Sequence, residues 1–270
     1  MKMRKLLVSS LLLATFSTNS NAITIKVDGD LSDWGVRRTG NISDWTPTAN
    51  AGIQYTVEDQ HEDKLDPGYG GQLYDAEAIY AYKNATTLFI ALATGHNPVT
   101  GNNPPSSFGA GDFAIDFGKD GTYELGINIK PSWDDFGVAA GVYKNVEWDY
   151  SPFWADDPIS GYVKSEHPTS IVEGKYLGLA NLSISGPQSG FGKWKDDTHY
   201  FYEMSLDLEL LRLAGWKDES FNIHWTQNCA NDSIIVDPPA SVPTPSILML
   251  LLAGLIGFRI TKKSGKQALV

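Results

Sequence analysis

Asp75 and Glu77 stand two residues apart in a run, Ala76–Tyr82, that reads as a β-strand, so their carboxylates are expected on one face. Asp112 and Asp116, four apart in the strand-like Asp112–Phe117, share a face by the same rule, and Asp120 follows in the turn Gly118-Lys119-Asp120-Gly121. If these strands are neighbours, the carboxylates converge. Like charges held that close repel, and a hard cation offsets the repulsion; calcium, which accepts irregular oxygen cages, is the expected ion. The spacing from Asp116 to Asp120 lacks the alternating acids and distal glutamate of an EF-hand. The plainer alternative is acids solvated at strand ends or bonded to loop backbone.

A carboxylate pair can also hydrolyse glycosides, given two acids about 5–10 Å apart across a cleft, one with a raised pKa. Many pairs here meet that distance in principle, so a glycan-processing enzyme is an alternative with no distinctive signature. No Gly-x-Ser-x-Gly elbow occurs, and His61, His96, His167, His199 and His224 show no metal-ligand spacing. Cys229, beside Asn228 and five residues after His224, reads as a buried structural cysteine rather than a nucleophile. It is the one cysteine, so the fold has no intrachain disulfide.

Trp133, Trp148, Tyr150, Phe153 and Trp154 crowd an irregular stretch, 131–160, beside Asp134, Asp135, Asp156 and Asp157. Rings that stack on sugar C–H faces, with acids taking the hydroxyls, make a carbohydrate site. Trp133, Trp148, Tyr150 and Trp154 are the candidate ligand residues. The alternative is that such rings plug the core, and Trp148, which follows the alternating Val142–Val146, is the strongest plug candidate. Trp34 and Trp225 read as core.

These residues need a scaffold. Strand-like segments recur at Ile23–Val27, Gln54–Val57, Ala76–Tyr82, Thr87–Ala93, Asp112–Phe117, Thr122–Ile129, Tyr176–Ile184, His199–Leu206, Ser220–Thr226 and Ser233–Val236, with hairpin-type turns at Lys83–Thr86 and Gly118–Gly121. One short helix is expected at Asp207–Leu213, capped by Asp207 and ended by Gly215. The pattern predicts an all-β fold, an antiparallel, jelly-roll-like β-sandwich with that helix near its C-terminal strands.

The ends differ in character. Residues 1–22 carry Lys2, Arg4 and Lys5, an apolar run Leu6–Phe16 and a small-residue exit at Ala22, the pattern of a secretory signal peptide. Residues 237–245 form a proline-marked stalk, 246–260 a hydrophobic helix and 261–270 a basic tail; the uninterrupted apolar run Ile247–Phe258 and the cations after it suit a membrane anchor. Seven of the 21 Lys and Arg lie in residues 1–22 and 243–270, which hold no acid. Residues 23–242 therefore carry 14 cations against 32 acids, near −18. That charge excludes nucleic acid as a partner and disfavours an anionic membrane surface. All eight Trp lie in the same segment, which excludes an acidic disordered tail.

The C-terminal arrangement resembles the PEP-CTERM sorting signal of Gram-negative bacteria, matched at Val242, Pro243, Pro245 and Ser246, with Thr244 where the family has glutamate. The resemblance implies Sec-dependent export and processing by an exosortase-type membrane protease near Pro243-Thr244-Pro245. Val27–Trp34, Asp112–Phe117 with Gly121–Glu124, and Tyr202–Leu213 resemble the opening, central hairpin and closing strand–helix–strand of carbohydrate-binding module family 9 and DOMON-like domains. Together they imply a sandwich over 23–236 that binds polysaccharide or joins a surface matrix without catalysis; the calcium expected from the carboxylates would hold its loops. A DOMON-like haem or redox module is a further alternative, for which Met204 and the scattered histidines supply no ordered axial pair.

Overall fold

The computed structural model describes residues 23–48, 52–58, 65, 67–103, 106–129, 136–151 and 153–238. The processing residues Ala22, Pro243, Thr244 and Pro245, the expected anchor helix and Trp133 lie outside them. Among the described residues no helix is long and apolar enough to cross a membrane.

The strands are β1 (Gln54–Val57), β2 (Ala76–Lys83), β3 (Thr87–Thr94), β4 (Phe113–Phe117), β5 (Leu125–Ile127), β6 (Gly141–Tyr150), β7 (Pro168–Leu179), β8 (Asn181–Ile184), β9 (Tyr200–Asp207), β10 (Phe221–Thr226) and β11 (Ser233–Val236), with one α-helix, α1 (Leu208–Ala214). They form two antiparallel sheets, ordered β1-β2-β3-β9-β8 and β11-β10-β4-β5-β6-β7. The all-β sandwich with one short helix is thus the fold. Alternation explains the layering. Leu88, Ile90 and Leu92 of β3 and Tyr202, Met204 and Leu206 of β9 pack in one core with Phe113, Ile115, Leu125, Ile127, Ile223 and Trp225 of the other sheet. Asp207 caps α1 by accepting the Glu209 N–H at 2.8 Å, and Gly215 ends it at φ +120°.

Three expectations are corrected. Ile23–Val27 is not a strand; it opens an N-terminal strap that lies over the outer face of the five-stranded sheet. There Leu31, Trp34, Val36 and Trp45 pack on Ala78, Tyr80, Ala91, Ala93 and Phe201 as a second core. The stretch 131–160 is not wholly irregular, because β6 runs through it as a ten-residue strand carrying Trp148 and Tyr150. Tyr176–Ile184 is not one strand. The chain leaves one sheet with β7 and enters the other with β8, with Ala180 between them donating its N–H to the Ala140 carbonyl at 2.8 Å.

Candidate functional site

The five carboxylates expected to gather do not. Asp75 precedes β2 in the five-stranded sheet and Glu77 lies on it, while Asp112 precedes β4 and Asp116 lies on it in the other sheet. A register shift between Ala76 and Ala78 breaks the alternation that would have put Asp75 and Glu77 side by side. Glu77 turns to His199, its Oε1 lying 2.7 Å from the imidazole Nε2. Asp112 accepts the N–H groups of Ile129 and Ile171, both at 2.9 Å. Asp116 accepts those of Asp120 (3.1 Å) and Gly121 (2.8 Å), so it shapes the hairpin turn in which Asp120 sits. Asp75 instead meets Glu58 and Asp232, one carboxylate oxygen from each within 4.8 Å of the others. Such an oxygen set suits a hard cation, but Asp232 is already engaged, accepting Ala76 N–H at 2.6 Å and Ser233 N–H at 3.0 Å.

Burial raises the pKa of Asp33, Glu124, Asp112 and Glu203, and the last two reach the range that acid catalysis uses. Burial pushes Asp112 up to about 7 against the pull of its two backbone donors, and does the same to Glu203, also to about 7. Neither faces a cleft. Asp112 is 3% exposed and Glu203 0%, and Glu203 accepts Trp34 Nε1–H at 2.7 Å, Gly29 N–H at 2.5 Å and Asp28 N–H at 3.1 Å. Their shifts follow from enclosure in structural hydrogen bonding. Cys229 is buried, and its thiol is pushed up to about 11, so it is protonated at neutral pH. Met204 lies in the inter-sheet core.

The aromatic residues give more. On the outer face of the six-stranded sheet one rung reads His224, Ala114, Gly126, Tyr143, Tyr176 across β10, β4, β5, β6 and β7. Ala114 and Gly126 have little or no side chain, and over Gly126 the space is taken by other side chains. A Cβ at Gly126 would meet Ile171 Cδ1 at 2.7 Å and Trp148 Cη2 at 2.9 Å, so those side chains lie directly over it. Trp148 covers the sheet, its indole N–H donated to the Tyr123 carbonyl at 3.0 Å. From Trp148 a ladder of rings runs outward: Trp148 to Tyr123 (6.3 Å between centroids), Tyr123 to His224 (5.8 Å), His224 to His167 (5.5 Å), His167 stacked on Tyr162 (4.7 Å), and Tyr162 to Trp154 (6.2 Å). Trp154 is fixed by its N–H on the Cys229 carbonyl at 2.8 Å and stays half-buried. Tyr150, at the end of β6, is half-buried, and burial raises its phenol above the ordinary range.

Polar atoms along this ladder lack partners. His224 Nδ1, the Tyr162 hydroxyl and Asn222 Oδ1 are buried with no hydrogen bond among the described residues, although His224 Nε2 lies 3.4 Å from His167 Nδ1. Burial, then the neighbouring His167, holds His224 well below the usual imidazole pKa, so it is neutral. Unsatisfied buried polar atoms are uncommon, and beside half-buried rings such as Tyr162 and His167 they are what a ligand hydroxyl or an ordered water would complete. Of the expected ligand residues, the ladder contains Trp148 and Trp154. It also contains Tyr123, Tyr162, His167 and His224, which no spacing in the sequence joins; the one local signal was Gly126, a glycine inside a strand, which marks a close approach.

Comparison with known proteins finds no matching family model, no matching curated protein and no matching solved structure.

Proposed function

We propose that this is an exported, envelope-sorted surface protein that performs no catalysis and binds polysaccharide along the aromatic ladder of the six-stranded sheet. The observation that supports the reading is the ladder itself: six rings in an unbroken series, Trp148 to Trp154, beside three buried polar atoms with no hydrogen bond among the described residues. Sugars need both, ring surface for C–H faces and fixed polar groups for hydroxyls. The export half rests on the signal-peptide pattern before Ile23 and the PEP-CTERM-like tail, with the Sec machinery and an exosortase-type protease as partners.

A glycan array probed with the full chain, Trp154→Ala and Tyr162→Phe tests the binding half. Binding is expected to fall at least tenfold in Trp154→Ala and to weaken in Tyr162→Phe, with melting temperatures close to wild type. Undiminished binding in both variants would remove the ladder as the site. Mass spectrometry of the protein recovered from its host tests the export half; a chain that begins at Ile23 and ends near Pro243–Pro245 supports it, and intact termini refute it.

A further inference from the structure

The opposite layer of the molecule carries a second concavity. Where the N-terminal strap crosses the outer side of the five-stranded sheet, a cavity of about 340 Å³ opens between residues 29–38 and 188–201. That volume lies at the lower end of small-molecule sites, about 300–1,000 Å³, and suits one sugar unit rather than a chain. Its floor is apolar: Phe191 and Phe201 pack edge to face at 5.2 Å, with Val36 beside them. Its rim is polar: Asp30, Ser32, Gln188 and Arg38, the acid standing among hydroxyl and amide groups that sugar hydroxyls also use.

Arg38 is the informative residue. Its guanidinium carbon sits 5.4 Å from the centroid of the Phe191 ring, which favours the fork over the cavity floor without neutralising it. Within the described residues no carboxylate lies within ion-pairing distance of it, although residues 23–242 carry more than two acids for each cation. Gly190 makes its placement possible, since a Cβ there would come within 3.0 Å of Arg38 Nε, and Gly190 is itself at φ +89°. The two loops that carry Arg38 and Phe191 are tied together by Gly40 N–H on the Gly190 carbonyl at 3.0 Å, and the second loop is closed on itself by Gly190 N–H on that of Lys195 at 2.7 Å. The far wall is fixed as well, by the Gly29 N–H on Glu203. An exposed guanidinium over an apolar floor, with no ion-pair partner among the described residues, can take a carboxylate in bidentate fashion.

We infer that this cavity binds a single sugar unit bearing a carboxylate, a uronic acid, with Arg38 on the carboxylate and Gln188 and Ser32 on hydroxyls. The site is in the other layer from the aromatic ladder and does not depend on it. A chain holding glycan at both would bridge two polysaccharide strands.

Isothermal titration of the full chain with galacturonate and, in parallel, galactose tests this. Galacturonate is expected to bind at least tenfold more tightly than galactose. Arg38→Gln should abolish that preference, Arg38→Lys should restore part of it, and Trp154→Ala should leave it unchanged. Absence of galacturonate binding, equal binding of the two sugars, or wild-type affinity in a folded Arg38→Gln would each overturn the inference. Loss of galacturonate binding in Trp154→Ala would place the acid on the ladder and overturn it too. Failure of the ladder variants on the glycan array leaves this result untouched, so the two sites are judged separately.

Discussion

Glu203 on β9 and Trp34 in the N-terminal strap, 169 residues apart in sequence, meet through a 2.7 Å hydrogen bond from the indole N–H to Oε1. The other carboxylate oxygen holds Asp28 and Gly29, so one buried side chain fixes the strap to the sheet at three points. Trp34→Phe keeps a ring in the second core and removes one donor, and is expected to cost about 1–2 kcal/mol. Glu203→Ala strands all three donors and should cost about 3 kcal/mol or more. Urea unfolding of both variants measures this; equal stability of the two would mean the carboxylate does not anchor the strap.

The same enclosure makes stability depend on pH in a defined direction. Glu203 and Asp112 ionise near 4.5 and 3.8 when unfolded and near 7 in the fold, burial being the main cause. Between those values the native state keeps a proton that the unfolded state has released. Their stabilising contribution is therefore complete below about pH 4 and is lost as pH rises through about 7. Wild type should gain melting temperature relative to Glu203→Gln and to Asp112→Asn as pH is lowered from 8 to 5.5. Calorimetry at both pH values checks it, and a difference that does not change with pH refutes it.

Gly126 gives Trp148 and Ile171 their seat on the six-stranded sheet. Gly126→Val pushes a branched side chain into Trp148 and Ile171, and overpacking of that kind costs about 1–3 kcal/mol. Trp148 should also lose its hydrogen bond to Tyr123. Chemical denaturation with tryptophan fluorescence reports both effects, and wild-type stability with an unshifted emission maximum would show that the indole does not rest on Gly126.

Cys229 should be inert in the native state. It is buried and its thiol is held up near 11, so a thiol reagent at pH 8 finds almost no thiolate and no access. Modification by an aromatic disulfide reagent is expected to proceed at the rate of unfolding and to complete at once in denaturant. Prompt labelling of native protein would contradict this burial.

Local chemistry in the sequence determined which segments become strands and where the one helix caps and ends. Short apolar runs between turn residues mark β2, β3, β4, β9, β10 and β11, and Asp207 with Gly215 bounds α1 because helix ends need those groups. The burial of Trp34 and Trp225 followed from the same patterns. Only the tertiary structure decided which side chains meet. A one-residue bulge beside Glu77 sent it to His199 and left Asp75 with Glu58 and Asp232, and an expected calcium cage became separate hydrogen-bonded sites. Ile23–Val27 alternates like a strand yet makes none, since its neighbours are fixed by Glu203 and by Asp33, which accepts Lys26 N–H at 2.7 Å. The ladder draws rings from loops and strands between residues 123 and 224, and the cavity at Arg38 joins loops about 150 residues apart. Periodicity states which way a side chain points from its own strand. It carries no information about which strand lies opposite, and contacts across sheets and straps are set by that.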